Sequence, residues 1–209
     1  MELTSLTFEQ LRLIVVVYTS SLVPLILIPY LTLKKVIPSW VPIVYIGSFL
    51  LCAIGWELWF TYGWIGGVNV DLRREPILST LIPIHINWLL NSLADAGTIC
   101  LGGLFITWKL MKSNSRIFFK WHWAAFSCLL FIFVFQNILV EMFLYHDQLS
   151  VGKPLSWAPL TPLGPWFNPV LFTFNNRSIS FQSQIPWLLM TPIFYKFLIY
   201  YIHNYYLNK

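Results

Sequence analysis

The sequence predicts an all-α fold, a polytopic transmembrane helix bundle of five spans with one long loop between the fourth and the fifth. Composition is the first reason: hydrophobic residues make up 57% of the 209-residue chain against 10% charged, and mean hydropathy is +0.68, outside the soluble range. Arrangement is the second. Apolar runs of about 20 residues, the length a helix needs to cross a bilayer core, alternate with short segments that hold most of the cations. A net charge of +5 is therefore explained by membrane topology and not by a nucleic-acid partner. Residues 1–209 read as a single membrane domain without internal repeats.

The first span, residues 11–33, follows MELTSLTFEQLR, where Thr4 or Thr7 can cap the helix, and Pro24 and Pro29 are placed to kink it. Two acids and one Arg before this span do not make the cationic start of a signal peptide. Pro38 and Pro42 open the second span, residues 43–62, and Gly63, Gly66 and Gly67 end it. The third helix begins near Ile77, bends at Pro83 and ends near Met111, with residues 79–108 spanning. A basic turn of Lys109, Lys112, Arg116 and Lys120 leads to the fourth span, residues 122–145, closed by His146 and Asp147. In the loop, residues 148–184, prolines from Pro154 to Pro169 exclude a helix. Its aromatic residues, Trp157, Trp166, Phe167, Phe172 and Phe181 among them, argue against disorder and predict a cover over the bundle with buried rings. Alternation in VLFTFNNRSISFQ predicts a hairpin turning at Asn175–Asn176. The last span covers residues 185–206.

Five spans put the first loop, the basic turn and the C-terminus on one side. The cations there, among them Lys34, Lys35, Lys109, Lys112, Arg116 and Lys120, are not balanced by any acid. The positive-inside rule then gives an exoplasmic N-terminus and a cytoplasmic C-terminus, in the endoplasmic reticulum of a eukaryote or the inner membrane of a bacterium.

Polar residues inside the spans carry the functional reading. Asn87, Asn91 and Asp95 recur every fourth residue, on one face of the third helix, and the stripe continues to Thr98 and Gly102. Glu57 and Glu141 lie in runs that are otherwise apolar and aromatic. A carboxyl at bilayer depth costs roughly 2.5 kcal/mol or more on insertion scales, so it normally faces an interior or a cavity. At a rise of about 1.5 Å per residue, Glu57, Asp95 and Glu141 fall roughly 7, 3 and 11 Å from the midplane, all on the exoplasmic side. His85, Asn87, Asn91 and Asn137 lie at similar or shallower depth. The expectation is one shared acidic pocket.

Several chemistries are set aside by pattern. The four histidines, at 85, 122, 146 and 203, are isolated, unlike the boxes of a di-iron oxygenase. There is no Asp-rich magnesium motif and no G-x-S-x-G, Walker or dinucleotide motif. No cofactor or metal is expected. Cys52, Cys100 and Cys128 all fall in spans without a CxxC pair and read as packing residues. What remains is acid–base chemistry on, or binding of, a lipophilic molecule; polar residues on facing helices can also simply hold a bundle together, at about 1 kcal/mol per contact.

Gly55-Trp56-Glu57 on the second helix, Asp95 on the third, Gln136, Asn137, Glu141 and Tyr145-His146 on the fourth, and Gln184-x-x-Trp187 at the start of the last resemble the emopamil-binding (EXPERA) group of membrane proteins. That group includes sterol Δ8–Δ7 isomerases and non-catalytic sterol binders; the fungal meroterpenoid membrane cyclases are a more distant likeness. Residues 43 to 200 follow the same order, with Ala53 where the isomerases carry a His and Gln184 where they carry an Asn. The resemblance implies protonation and deprotonation through a carbocation. In that scheme Glu57 or Asp95 donates a proton to an alkene or epoxide, and aromatic faces stabilise the cation. Glu141 or His85 removes a proton, while Trp56, Asn87, Asn91, Gln136, Asn137 and Trp187 line the substrate site. A proton-coupled transporter is a third possibility, set back by the lack of repeat symmetry or paired broken helices.

Overall fold

The computed structural model describes residues 6–63, 68–145 and 165–207. Expectations placed on Thr4, His146, Trp157 and the prolines from Pro154 to Pro162 lie outside those residues. The described chain is mostly helical. Four helices are long and apolar enough to cross a membrane, or five if one bent pair counts as a single span, which fits a multi-pass membrane protein.

Helix α1 runs Phe8–Leu33 and passes through both Pro24 and Pro29. Thr7 starts it through a capping box: its hydroxyl accepts from Gln10 N at 3.2 Å while Gln10 Oε1 accepts from Thr7 N at 3.0 Å. Proline at 24 removes the N–H that would bond to Ser20 four residues earlier. The hydroxyl of Thr98 donates to that Ser20 carbonyl at 2.6 Å.

The second span differs from the single helix expected over residues 43–62. It is α2, Val41–Ile54, and α3, Trp56–Tyr62, bent by 44° at Gly55. Backbone groups freed inside a membrane must be satisfied by neighbours. Trp88 Nε1 does this here, donating to the Ala53 carbonyl at 2.9 Å. Gly63 then closes α3 in the left-handed region, φ +72°, where a side chain would also collide with Val68.

The third helix is not continuous either. A short helix α4, Pro76–Leu81, stops before Pro83; α5 covers Ile84–Ala94; Asp95–Leu101 is a π-helical segment; and α6 covers Gly102–Leu110. Proline again explains the first break, and its loose carbonyls are taken up by Tyr18, whose hydroxyl donates to Leu81 O at 2.9 Å, and by Arg74, which donates to Ile82 O. At the π segment Gly97 lies so close to α1 that a Cβ there would sit 2.4 Å from Pro24 Cβ. A predicted stripe of regular i+4 spacing therefore ends at Asp95.

Helix α7, Trp123–Phe143, is started by His122, whose Nδ1 accepts from Ala125 N at 3.3 Å. Its last turn has no cation of its own. Two distant arginines serve it instead, Arg12 donating to Phe143 O and Arg177 to Glu141 O. The hairpin forms where expected, β1 Val170–Phe174 against β2 Arg177–Ser180, with Asn175 and Asn176 at φ 44° and 59°. Asparagine tolerates the positive φ that such a tight turn demands. Expected burial of the loop's rings is not found: Trp166, Phe167, Phe172 and Phe181 are all exposed. The loop, where described, is held through Arg177, Ile179 and Ser180, which are buried. Helix α8, Ile185–Leu207, completes the bundle, packing Trp187, Phe194 and Leu198 against Phe133 and Leu129 of α7.

Candidate functional site

Breaks in neighbouring helices converge on one cavity of about 220 Å³. Helix α3 contributes Trp56, Glu57 and Phe60; α5 and the π segment contribute Asn91, Asp95 and Thr98. Opposite them stand Gln136, Asn137 and Glu141 of α7, then Tyr145, with Ser183 in the turn before α8 and Trp187 in its first turn. Residues Val16, Val17 and Ser20 of α1 close one side. Glu57, Asp95 and Glu141, from three different spans, thus share one space.

The bend at Gly55 turns Trp56 and Glu57 inward. Trp56 Nε1 donates to Asp95 Oδ2 at 2.9 Å, and the Trp56 ring packs on Trp187 with centroids 5.0 Å apart. Phe133 also meets Trp187, edge-on at 5.3 Å. Glu57 is 5% exposed and faces Asp95, Asn91, Thr61 and Arg73. Yet Glu57 Oε2, Asn91 Nδ2 and Thr61 Oγ1 are each buried without a partner at full hydrogen-bond geometry. Unmet groups of this kind are costly in an apolar interior and are characteristic of sites that take a ligand or water.

Glu141 is held differently. Gln184 Nε2 donates to its Oε2 at 3.1 Å, and Asn137 Nδ2 approaches its Oε1 at 3.5 Å while donating to Gln184 Oε1 at 2.9 Å and Ser183 O at 3.0 Å. Tyr145, edge-on to Phe60 at 5.4 Å, points its hydroxyl at Asn91 Oδ1 across 3.5 Å.

Above the cavity lies a layer of buried cations. Arg73 is 1% exposed, donates to Phe60 O at 2.9 Å and stands over the Phe60 ring. Burial, helped by the charge of Arg74, pulls its guanidinium down to about 10 from the ordinary 12.5, so it remains charged at neutral pH. Arg74 bonds to Asp71 Oδ1 at 2.7 Å, Ser79 Oγ at 3.1 Å and Asn87 Oδ1 at 3.0 Å.

Of the ten residues singled out from sequence, Glu57, Asp95, Glu141, Trp56, Asn91, Gln136, Asn137 and Trp187 line the cavity. Asn87 does not; it lies one turn before Asn91 on the same face of α5, and its Oδ1 accepts from Arg74 at 3.0 Å. His85 is at the surface, its Nδ1 2.8 Å from the hydroxyl of Tyr62. Sequence reasoning missed Phe60, Thr61 and the arginine layer. Pro83 starts α5 two residues before His85, and the neighbouring polar face from Asn87 is claimed by the Arg74 cluster, an arrangement that no local pattern announces. Among the described residues no group of three His, Cys, Asp or Glu is placed to hold a metal.

Searches against protein-family models, curated proteins and solved structures find no match to this chain.

Proposed function

We propose that this is an integral membrane enzyme that isomerises or cyclises a lipophilic, isoprenoid- or sterol-like substrate by protonation and deprotonation. The observation that carries the reading is the cavity itself, in which three carboxyls from separate spans face Trp56, Phe60, Tyr145 and Trp187. Carboxyls can supply and remove protons; aromatic faces favour a cation between them. Glu57, whose Oε2 has no partner at full hydrogen-bond geometry, is the best placed donor, with Asp95 beside it. Glu141 takes the role of base, because it faces the same space and His85 does not.

At about 220 Å³ the cavity is smaller than the roughly 300–1,000 Å³ usual for ligand pockets. A polycyclic substrate therefore requires the walls to separate, and the bend at Gly55 and the π segment are two points beside the cavity where regular helical hydrogen bonding is already interrupted. The acid beside Trp on the second span supports kinship with the emopamil-binding group as part of the proposal. Topology follows the charge bias, with the N-terminus exoplasmic and the C-terminus cytoplasmic, in the endoplasmic reticulum or a bacterial inner membrane.

A second reading is a non-catalytic lipid or sterol binder, favoured by the hydrogen bonds that already engage Asp95 and Glu141. One experiment separates the two. The protein is purified in mild detergent, its co-purifying lipids are identified by mass spectrometry, and these are returned to the protein in deuterated water. An enzyme exchanges or rearranges carbon-bound hydrogen in the lipid, and does so no longer after Glu57→Gln. Retention of an unaltered lipid establishes the binder.

A further inference from the structure

We propose that the hairpin between α7 and α8 is a membrane-interface anchor, whose apolar strand β1 rests among the lipids of the leaflet into which α7 ends. Strand β1 reads Val170-Leu171-Phe172-Thr173-Phe174, and every residue but Phe174 is exposed. Side chains alternate across a strand, so exposure of consecutive apolar residues leaves both faces of β1 uncovered. Strand β2 is the reverse, with Arg177, Ile179 and Ser180 buried. The ribbon is thus fastened along one strand and presents the other outward.

What covers β1 follows from the surface it continues. Helix α7 exposes Phe131, Phe135, Leu139 and Phe143 at every fourth residue, the face that a span turns to lipid. Phe143, last residue of that stripe, meets Phe174 of β1 edge-on at 5.3 Å. The apolar surface therefore passes without interruption from the lipid-facing side of α7 onto the hairpin. A two-stranded ribbon has unpaired backbone groups at its outer edge, which hydrocarbon does not tolerate. That places β1 at the level of headgroups and upper acyl chains, where Trp166, 88% exposed just before the strand, also has its preferred position. Asn175 and Asn176 at the turn suit the aqueous side. Because Gln182–Gln184 join β2 directly to Glu141 and Trp187, the anchor sets the height of one cavity wall relative to the membrane.

Depth-dependent quenching tests this. The full chain is reconstituted in phosphatidylcholine vesicles with a single added cysteine, Thr173→Cys or Asn176→Cys, carrying a fluorescent label; the parent chain, with Cys52, Cys100 and Cys128, sets the background. Both positions are exposed and leave the hairpin's buried residues in place. The expected result is loss of most emission from position 173 with a nitroxide high on the acyl chain and little loss with aqueous iodide, and the opposite order at position 176. Iodide quenching of position 173 equal to that of 176 would show a water-facing strand and overturn the proposal. Protection of 173 from both quenchers would overturn it too, by showing that protein covers the strand.

Discussion

The bond from Trp56 Nε1 to Asp95 Oδ2, 2.9 Å long, joins the residue that follows the bend of the second span to the first residue of the π segment in the third. Two interruptions of helical regularity are fixed against each other there, and the carboxyl is fixed with them. Replacing Trp56 by Phe keeps an aromatic ring against Trp187 but removes the donor. A hydrogen bond between neutral groups is worth about 0.5–1.5 kcal/mol net, so Trp56→Phe is expected to lower turnover, or ligand retention, by roughly twofold to tenfold, with little change in folded yield. Asp95→Asn should abolish it. Equal activity of the wild type and both variants would show that the bond serves the bundle alone.

Glu141 and His85 exchange their expected importance once their positions are known. Glu141→Gln should remove most activity while His85→Ala leaves it within about twofold, since His85 contacts Tyr62 at the surface. Side-by-side initial rates at matched expression decide this; a large loss in His85→Ala would restore the histidine to the chemistry.

Gly97 permits the contact between the π segment and α1. A methyl group at this position would overlap Pro24 Cβ and Cγ, at 2.4 and 2.5 Å, and overpacking of this kind costs about 1–3 kcal/mol. Gly97→Ala should therefore lower the thermal midpoint in detergent clearly. Thr98→Val, isosteric but unable to donate to Ser20 O, costs about 1 kcal/mol and should lower the midpoint less. Unchanged midpoints in both would mean that α1 is not seated through these residues.

Arg74 holds the break at Pro83 through Ile82 O, Asn87, Ser79 and Asp71. Removing a buried charge that satisfies several groups leaves each of them unpaired, a loss of about 3–5 kcal/mol. Arg74→Leu should consequently give little folded protein, whereas Asp71→Asn, which keeps an acceptor but leaves the buried guanidinium without its counter-ion, should lower recovery less. Equal recovery of the two variants in size-exclusion chromatography would argue against the cluster.

Topology has its own test. Asn176 lies at the hairpin turn in the sequon Asn176-Arg177-Ser178, and Ser178 is exposed, as is Ser113 in the basic turn. In cells, Ser178→Cys should react with an impermeant thiol reagent from outside, and Ser113→Cys only after permeabilisation. Reversed labelling would invert the protein; labelling of both from outside would change the number of spans.

Fold class, the apolar runs, the Thr7 cap, the hairpin turn at Asn175–Asn176 and most of the cavity residues were legible in the sequence. Each follows from local chemistry: long apolar runs, a hydroxyl before a helix, two asparagines between alternating residues, and carboxyls where a membrane does not favour them. Tertiary structure alone decided where the helices break and who repairs them. Ser20 O is free because Pro24 lacks an N–H, but only the fold brings Thr98 to it; Ala53 O is released at Gly55 and finds Trp88; Ile82 O finds Arg74. Arg73, Arg74 and Arg177 stand in polar segments between the spans, and nothing in such a segment distinguishes a guanidinium that stays in water from one that folds back onto a carbonyl. Hydrogen-bond satisfaction in a bilayer is a demand on the whole bundle, so the residues that meet it are far apart in the chain and carry no local signature.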